Sequence, residues 1–486
     1  MHILQATSEF YPYSKTGGLA DMVAGLSGAL ADMGHEVTIV TPLYRGIKKN
    51  YPKIKPTRHT LRIPMGRRVV NARVQKISPQ QNLTVLFVEQ PKYYDREGIY
   101  MEKGSGYADN PDRFIFFSKA VIELANIQQK RPDVIHCHDW QAGLIPLLQL
   151  DGGKSKKQNP RPGTCMTIHN LAYQGNCDAK NYQLANLPKS YFKPSGVEYY
   201  GQLNFLKAGL IFSDQLATVS PQYATEIMTP QFGEGLDGVL RQRANDMSGI
   251  LNGVNYRQWR TTGNPHLPFE YSAHDLSGKY KNKVALIREL GLQSPRKMPP
   301  LYAYVGRLAD QKGVDLMLEA LPDWLGKTDS LFALLGSGEP WMEDRLRQLQ
   351  EDFPGRACCH IGYSEELAHR IEAAADFFLM PSKFEPCGLN QLYSFRYGTI
   401  PIVNNVGGLS DTVNDIRKKQ TIGNGFKLAK YSSNCLLQTL RASSAMYANK
   451  ERLRRIRKRA MLASFDWINA AKSYLKIYAT TGNNEN

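Results

Sequence analysis

Residues 2–42 read HILQATSEFYPYSKTGGLADMVAGLSGALADMGHEVTIVTP, and this stretch decides the fold. HILQAT is a short β-rich run, and SEFYPYSKTGGLAD is a glycine-containing loop. Met22, Val23, Leu26, Leu30 and Met33 then recur at helical spacing, Gly34 stops the helix, and VTIVTP resumes as a strand. A buried strand, a helix and a second buried strand predict a βαβ unit, the building block of a parallel sheet covered by helices.

The same alternation continues outward. LTVLFVEQ, DVIHCHDW and TCMTIHN are further strands. The segment Gly253 to Asp275 (GVNYRQWRTTGNPHLPFEYSAHD) is rich in Gly, Pro and polar residues without periodicity, and it reads as a crossing between domains. A second series follows it. LYAYVG and LFALLG are strands, with Val314, Met317, Leu318 and Leu321 on one helical face between them. The strand ACCHIGY, the helix SEELAHRIEAAA, the strand DFFLMPS, the helix LNQLYSFRYG and the strand TIPIVN continue it, and FDWINAAKSYLKIY is a terminal helix. The predicted fold is therefore α/β, with two doubly wound parallel-sheet domains whose strand-end loops line a cleft. The expected divisions are 1–254, 255–460, and a C-terminal helix in 461–486 that packs back on the first domain.

Composition narrows the function classes. At 486 residues the chain is too long for one ordinary domain. Its 42% hydrophobic and 22% charged residues are globular, not disordered. No apolar run approaches the roughly 18 residues of a membrane span. The first strand is read almost at Met1, so no leader is expected. The seven cysteines form no CxxC pair, so a reduced, cytoplasmic compartment is expected. Lys and Arg number 61 against 44 Asp and Glu, for a net charge of +17. The basic residues concentrate in Arg45 to Lys76, Lys154 to Arg161 and Lys450 to Arg459. No aromatic-interleaved module, zinc finger or recognition helix accompanies them, so they read as solvated surface with no specific nucleic-acid partner.

Several loops carry chemistry. KTGGLAD (Lys15 to Asp21) fills the first strand–helix loop, where Gly17 and Gly18 let backbone amides approach an anion beside Lys15. It is neither GxGxxG nor a P-loop, and GG after a strand is also an ordinary tight turn. VGRLADQKG sets Arg307 and Lys312 just past a strand, which suits a diphosphate leaving group or, more plainly, two surface cations. EPCGLNQL opens a helix from Glu385, whose carboxylate could hold sugar hydroxyls or a ribose. NNVGGLSD (Asn404 to Asp411) repeats the strand–GG–helix arrangement. HCHDW and TIHN put Asp139, His169 and Asn170 at strand ends. His136 and His138 share a strand face, yet the spacing offers no third metal ligand, so no metal is expected. Cys387 has no evident base and reads as a small residue packed beside the pocket.

At these residues the chain resembles the bacterial glycogen synthases and starch synthases, retaining glucosyltransferases of GT-B fold in glycosyltransferase family 5. KTGGLAD, HDWQAG (138–143), IHNLAYQG (168–175), NFLKAG (204–209), TVSPQYA (218–224), LNGV (251–254), GRLADQKG (306–313), SKFEPCGLNQLY (382–393) and GGLSDTV (407–413) are similar to that family in order and spacing, across essentially the whole chain. The resemblance implies that Lys15 and Gly18, with Gly17 and Asp21 beside them, touch the donor diphosphate, and that Arg307 and Lys312 balance it. It implies that His169, Asp139, Tyr94 and Asn170 surround the transferred glucose. Asn252 matches a position at the domain junction, and Glu385, Cys387, Gly388 and Leu389 a segment holding glucose and phosphates. Tyr363 resembles the residue that packs on the base. Asn390 departs from the family, which commonly has Thr there.

The resemblance further implies transfer of glucose from a nucleotide sugar, ADP-glucose rather than UDP-glucose, to the non-reducing end of an α-1,4-glucan, with no cofactor. Same-face attack is the expected route, with the leaving diphosphate taking the acceptor proton. Other readings remain: a retaining GT-B transferase of sucrose or lipopolysaccharide type, a glucan phosphorylase, or a non-catalytic glucan-binding scaffold. The first often carries a second Glu eight residues after the first, where this chain has Tyr393. A phosphorylase needs a pyridoxal phosphate lysine and a longer chain, and a scaffold should have lost its cations.

Overall fold

The computed structural model describes the chain except Lys103, residues 154–160, residues 294–297, Gln420 and residues 482–486. The chain divides into two compact units, Met1–Gly253 with Trp467–Asn486, and Val254–Asp466.

In the first unit nine strands form one sheet. They are β1 (His2–Ala6), β2 (Glu36–Pro42), β3 (Lys55–Met65), β4 (Arg68–Gln80), β5 (Leu83–Glu89), β6 (Val134–His138), β7 (Gly163–Ile168), β8 (Gln215–Thr218) and β9 (Met247–Gly249), in the order β9-β8-β7-β6-β1-β2-β5-β4-β3. Seven neighbours from β9 to β5 run parallel, and β4 and β3 add antiparallel. β1 lies centrally and is buried along its whole length, which is why HILQA shows no polar alternation. Helix α1 (Gly18–Asp32) buries Leu19, Met22, Val23, Leu26 and Leu30. Met33, expected on that face, instead caps the helix and is exposed.

The antiparallel pair β3–β4 underlies the basic run Arg45 to Lys76, read from sequence as solvated surface. Leu61, Ile63, Met65, Ala72 and Val74 are buried, while Lys55, Arg62 and Arg73 stay exposed. The cations therefore occupy the outward positions of a strand pair. The returning helix α2 (Trp467–Thr480) buries Trp467, Tyr474, Ile477 and Tyr478 in the first unit. Gly25 of α1 makes room for it: a Cβ there would stand 2.1 Å from Trp467 Nε1.

The second unit carries six parallel strands: β10 (Leu301–Val305), β11 (Leu331–Gly336), β12 (Ala357–Ile361), β13 (Phe377–Met380), β14 (Ile400–Val403) and β15 (Phe426–Lys427), ordered β12-β11-β10-β13-β14-β15. The helix after β10 buries Val314, Met317, Leu318 and Leu321 as its spacing predicts. The segment read as a crossing is packed beyond Gly253. Leu267 and Tyr271 lie in an apolar cluster with Tyr397 and Met461, and the Tyr271 hydroxyl donates to the Tyr397 carbonyl at 2.9 Å. Position 460, expected to end this domain, falls inside the helix Lys450–Leu462, and the unit runs on to Asp466.

The basic run Lys450 to Arg459 forms that helix, and two of its cations serve the interior. Arg457 Nη2 pairs with Asp376 Oδ1 at 2.5 Å, and Arg459 Nη1 donates to the Gly423 carbonyl at 3.0 Å. Burial alone would raise the Asp376 carboxyl, but Lys283 and Arg457 beside it bring it down to about 2. Of the third basic run, residues 154–160 lie outside the described residues, and Arg161 pairs with Asp214 at 2.5 Å. No disulfide joins any of the seven cysteines. No described helix is long and apolar enough to cross a membrane.

Candidate active site

In the first unit the expected residues gather at the carboxyl ends of adjacent parallel strands. β1 leads into the loop 7–17, Asp139 follows β6, and His169 and Asn170 follow β7. Asp139 holds φ 55° and ψ −177°, a conformation that side-chain-bearing residues rarely adopt and that costs about 1–3 kcal/mol. Its carboxylate secures the neighbouring loop by accepting the His169 N–H at 2.7 Å. Burial pushes its carboxyl up to about 7, against the backbone N–H groups of His169 and Asn170, which favour the anion.

His169 sits at the end of a buried relay. His169 Nε2 lies 3.0 Å from His138 Nδ1, and His138 Nε2 lies 2.7 Å from Gln5 Oε1. His136 meets Tyr478 through Nδ1 at 2.8 Å and Thr167 through Nε2 at 2.6 Å. Both nitrogens of His136 and His138 are thus engaged by protein groups. Burial holds the His169 imidazole down to about 3, so it is neutral and can exchange a hydrogen bond with a sugar hydroxyl but carries no charge there.

The glycine loop is organised by a residue that sequence reasoning passed over. Glu9, buried, accepts from Thr16 N at 2.5 Å, Thr16 Oγ1 at 2.6 Å, Gly17 N at 3.3 Å and the Tyr100 hydroxyl at 2.7 Å. Its one sequence signal is a carboxylate in the first strand–helix loop, upstream of GG. Gly17 caps α1, Gly18 opens it, and a Cβ on Gly17 would meet nothing within 4 Å, so the loop is open there. Lys15 pairs with Asp21 at 2.8 Å. With the lysine 36% exposed, such a pair is worth only about 0–1 kcal/mol and yields readily to a phosphate.

Tyr94 is fully buried, and its hydroxyl donates to the Arg113 carbonyl at 3.0 Å. It supports the loop after β5 from inside rather than presenting its hydroxyl outward. Asn170 turns its side-chain oxygen onto Ala172 N at 3.1 Å. Asn252 is buried, with a side-chain oxygen that meets no hydrogen-bond donor among the described residues.

In the second unit Arg307 follows β10 and is exposed, while the Tyr304 hydroxyl fixes its carbonyl at 2.6 Å. Lys312 behaves differently. Its ammonium donates to both oxygens of Glu385, at 2.9 and 2.7 Å, and Ser382 Oγ adds a bond at 2.9 Å. The Glu385 side chain is only 7% exposed and that of Lys312 only 23%, so this pair is largely desolvated. The structure thus joins the expected cation and the expected sugar-holding carboxylate into one group.

The backbone around Glu385 is packed by glycine. A Cβ on Gly407 would stand 2.1 Å from the Glu385 carbonyl, and one on Gly408 2.1 Å from that of Cys387. Gly408 N donates to the Glu385 carbonyl at 3.1 Å, so the GG after β14 acts here as a seat for the loop after β13. Cys387 is buried and Leu389 half-buried, and Gly388 at φ +71° turns the chain into the helix Asn390–Tyr397. Asn390 sends its amide to the Val305 carbonyl at 2.6 Å, tying that helix to the end of β10. Tyr363, after β12, is 81% exposed, and its ring is open to stack on a planar ligand.

Residues 2–242 match the family model of the starch synthase catalytic domain, and residues 292–460 that of glycosyl transferases group 1. The chain is 41% identical over 482 residues to a glycogen synthase of Opitutus terrae, spanning 99% of this chain and 100% of that one. To a glycogen synthase of Anaeromyxobacter sp. it is 44% identical over 98% of this chain and 99% of that one. The catalytic domain of starch synthase IV from Arabidopsis thaliana, solved bound to ADP and acarbose, is 32% identical with a TM-score of 0.90, covering 98% of each chain. Sucrose-phosphate synthase from Thermosynechococcus elongatus, 18% identical with a TM-score of 0.61 over 98% of each chain, shares the fold alone.

Proposed function

The chain belongs to the glycogen and starch synthase family, and from that premise we propose that it adds glucose from ADP-glucose to the non-reducing ends of α-1,4-glucans, with retention at the anomeric carbon. In this reading Arg307 and Lys312 receive the charge that builds on the diphosphate as the glycosyl bond breaks, and Lys15 adds a third cation. Neutral His169, steadied through His138, hydrogen-bonds a hydroxyl of the glucose. Tyr363 covers the base, and the main chain of Gly388 and Leu389 meets phosphate and sugar.

The observation that carries the reading is the Lys312–Glu385 pair, in which both oxygens of the buried carboxylate are committed to one ammonium. A covalent double displacement needs a carboxylate free to attack the sugar. Glu385 is tied to Lys312 and Ser382, and Asp139 to backbone N–H groups. Same-face substitution needs neither. The diphosphate departs with the bonding electrons and takes the proton of the incoming glucan 4-hydroxyl, whose oxygen bonds the anomeric carbon on the vacated face. The charge is met by side chains, so the proposed reaction uses no metal and no cofactor. A cytoplasmic setting, with neither a membrane nor a specific nucleic acid as partner, goes with it.

ADP is the nucleotide held by the starch synthase IV relative, and it is assigned to this chain as part of the proposal. The check is kcat/KM for ADP-glucose and UDP-glucose on one glycogen primer. A preference for ADP-glucose of at least about tenfold, or about 1.4 kcal/mol, is expected. Equal use of UDP-glucose, or a preference for it, overturns the donor assignment.

A further inference from the structure

A group of metal-ligating side chains in the second unit is untouched by the sugar-transfer reading. His266, on the segment that follows Val254, converges with Glu365 and His369 so that one ligand atom from each lies within 4.8 Å of the others. Among the described residues this is the one such trio. Glu365 and His369 stand four apart on the helix Glu365–Ala374 and so project from the same face. The His266 and His369 rings lie 4.9 Å apart, tilted by 31°.

We propose that His266, Glu365 and His369 hold one divalent cation of the zinc class, with water in the fourth position. The ligand types are those that bind zinc with mixed nitrogen and oxygen. Ligand atoms around a tetrahedral zinc at about 2.0–2.1 Å lie roughly 3.3 Å apart, so the trio closes by about 1.5 Å at most. His266 and Glu365 are half-buried, so neither is walled in on every side.

The partners behind the ligands are those a metal site requires. The Tyr397 hydroxyl bonds His369 Nδ1 at 2.7 Å and sets the plane of the ring. Gln258 Nε2 donates to Glu365 Oε1 at 2.9 Å, and Asn264 Oδ1 accepts from the main-chain N–H of His266 at 2.9 Å, which holds that stretch of backbone rather than the ring. Outer hydrogen bonds such as those to His369 and Glu365 fix the orientation of ligating imidazoles and carboxylates. Trp259 stacks on His369 at 4.2 Å and walls one side with carbon. Arg370, which also donates from Nε to the His266 carbonyl at 3.2 Å, is paired with both Glu289 and Glu366, so its charge is met by carboxylates. A bound cation would clasp the segment after Val254 to the helix Glu365–Ala374. Through Tyr397 it would also brace the far end of the helix that starts at Asn390.

The test uses the full chain, stripped with a chelator and titrated with Zn2+ and, for its spectrum, with Co2+. The expected result is one ion per chain, with weak visible bands of nitrogen and oxygen ligands and no thiolate charge-transfer band, which separates the site from the cysteines. A rise in Tm of about 5 °C is expected at a hundredfold excess of Zn2+ over Kd. His266→Ala and Glu365→Gln should each weaken binding by at least about tenfold and reduce that rise, while the metal-free Tm stays close to that of the parent. No saturable uptake, a thiolate band, or unchanged affinity in both variants overturns the site. None of the three residues belongs to the sugar-transfer set, so activity with ADP-glucose is a separate outcome.

Discussion

Lys312 and Glu385 show what a residue list omits. The two motifs, GRLADQKG and EPCGL, present each residue as facing a ligand, because sequence displays side-chain type but not pairing. In the structure Lys312 answers Glu385 through both carboxylate oxygens. Removing one partner of a buried pair leaves an uncompensated charge and costs about 3–5 kcal/mol, beyond any catalytic loss. Lys312→Ala should therefore lower the Tm and reduce turnover by at least about a hundredfold. Adding Glu385→Gln should restore most of the stability, since no bare carboxylate remains, while turnover stays low. Thermal melts and initial rates at saturating donor separate the two effects. A double variant that regains turnover would make the pair structural only. Glu9 was missed for a related reason: a lone carboxylate in a loop gives no sign that three backbone and side-chain donors of the glycine loop converge on it.

At the scale of elements, the buried strands were legible because a strand covered on both faces is largely apolar, as LFALLG is throughout and HILQA is apart from His2 and Gln5. β3 and β4 were not, because their outward positions carry Lys and Arg and the segment read as charge before it read as strand. The two helices Glu365–Ala374 and Asn390–Tyr397 supply another contact hidden from sequence. Glu372 Oε2 accepts from Ser394 Oγ at 2.8 Å inside the unit. Burial raises the Glu372 carboxyl from its ordinary 4.5 to about 8, against smaller downward pulls from Ser394 and Lys279. An acid raised in the folded state contributes fully below its unfolded pKa. As the pH climbs from there towards about 8, the unfolded chain releases a proton that the folded chain keeps, and stability is lost. Glu372→Gln removes that loss. Between pH 5 and pH 8 the variant should gain about 2–4 kcal/mol relative to the parent in denaturant unfolding. A difference that stays flat over this window would show that Glu372 is ionised in the folded protein.

For the whole molecule, the alternation of strands and helices predicted two parallel-sheet units, and both sheets are present. The boundaries were less legible. The segment after Gly253 lacks periodicity because it is irregular, yet Leu267 and Tyr271 anchor it, and only tertiary packing reveals that. Not every cation is solvated: Arg457 and Lys283 meet Asp376, and Arg161 meets Asp214, pairs that leave the net charge of +17 as it is. Chain extension of a glucan from a nucleotide sugar is the activity proposed for the whole chain. It is tested most directly by following release of ADP from ADP-glucose with and without a glycogen primer, and by reading the new linkage by proton NMR. The expected result is release that depends on the primer and equals the glucose incorporated, with every new bond α-1,4. Release without primer, no release with it, or a β-configured bond would contradict it.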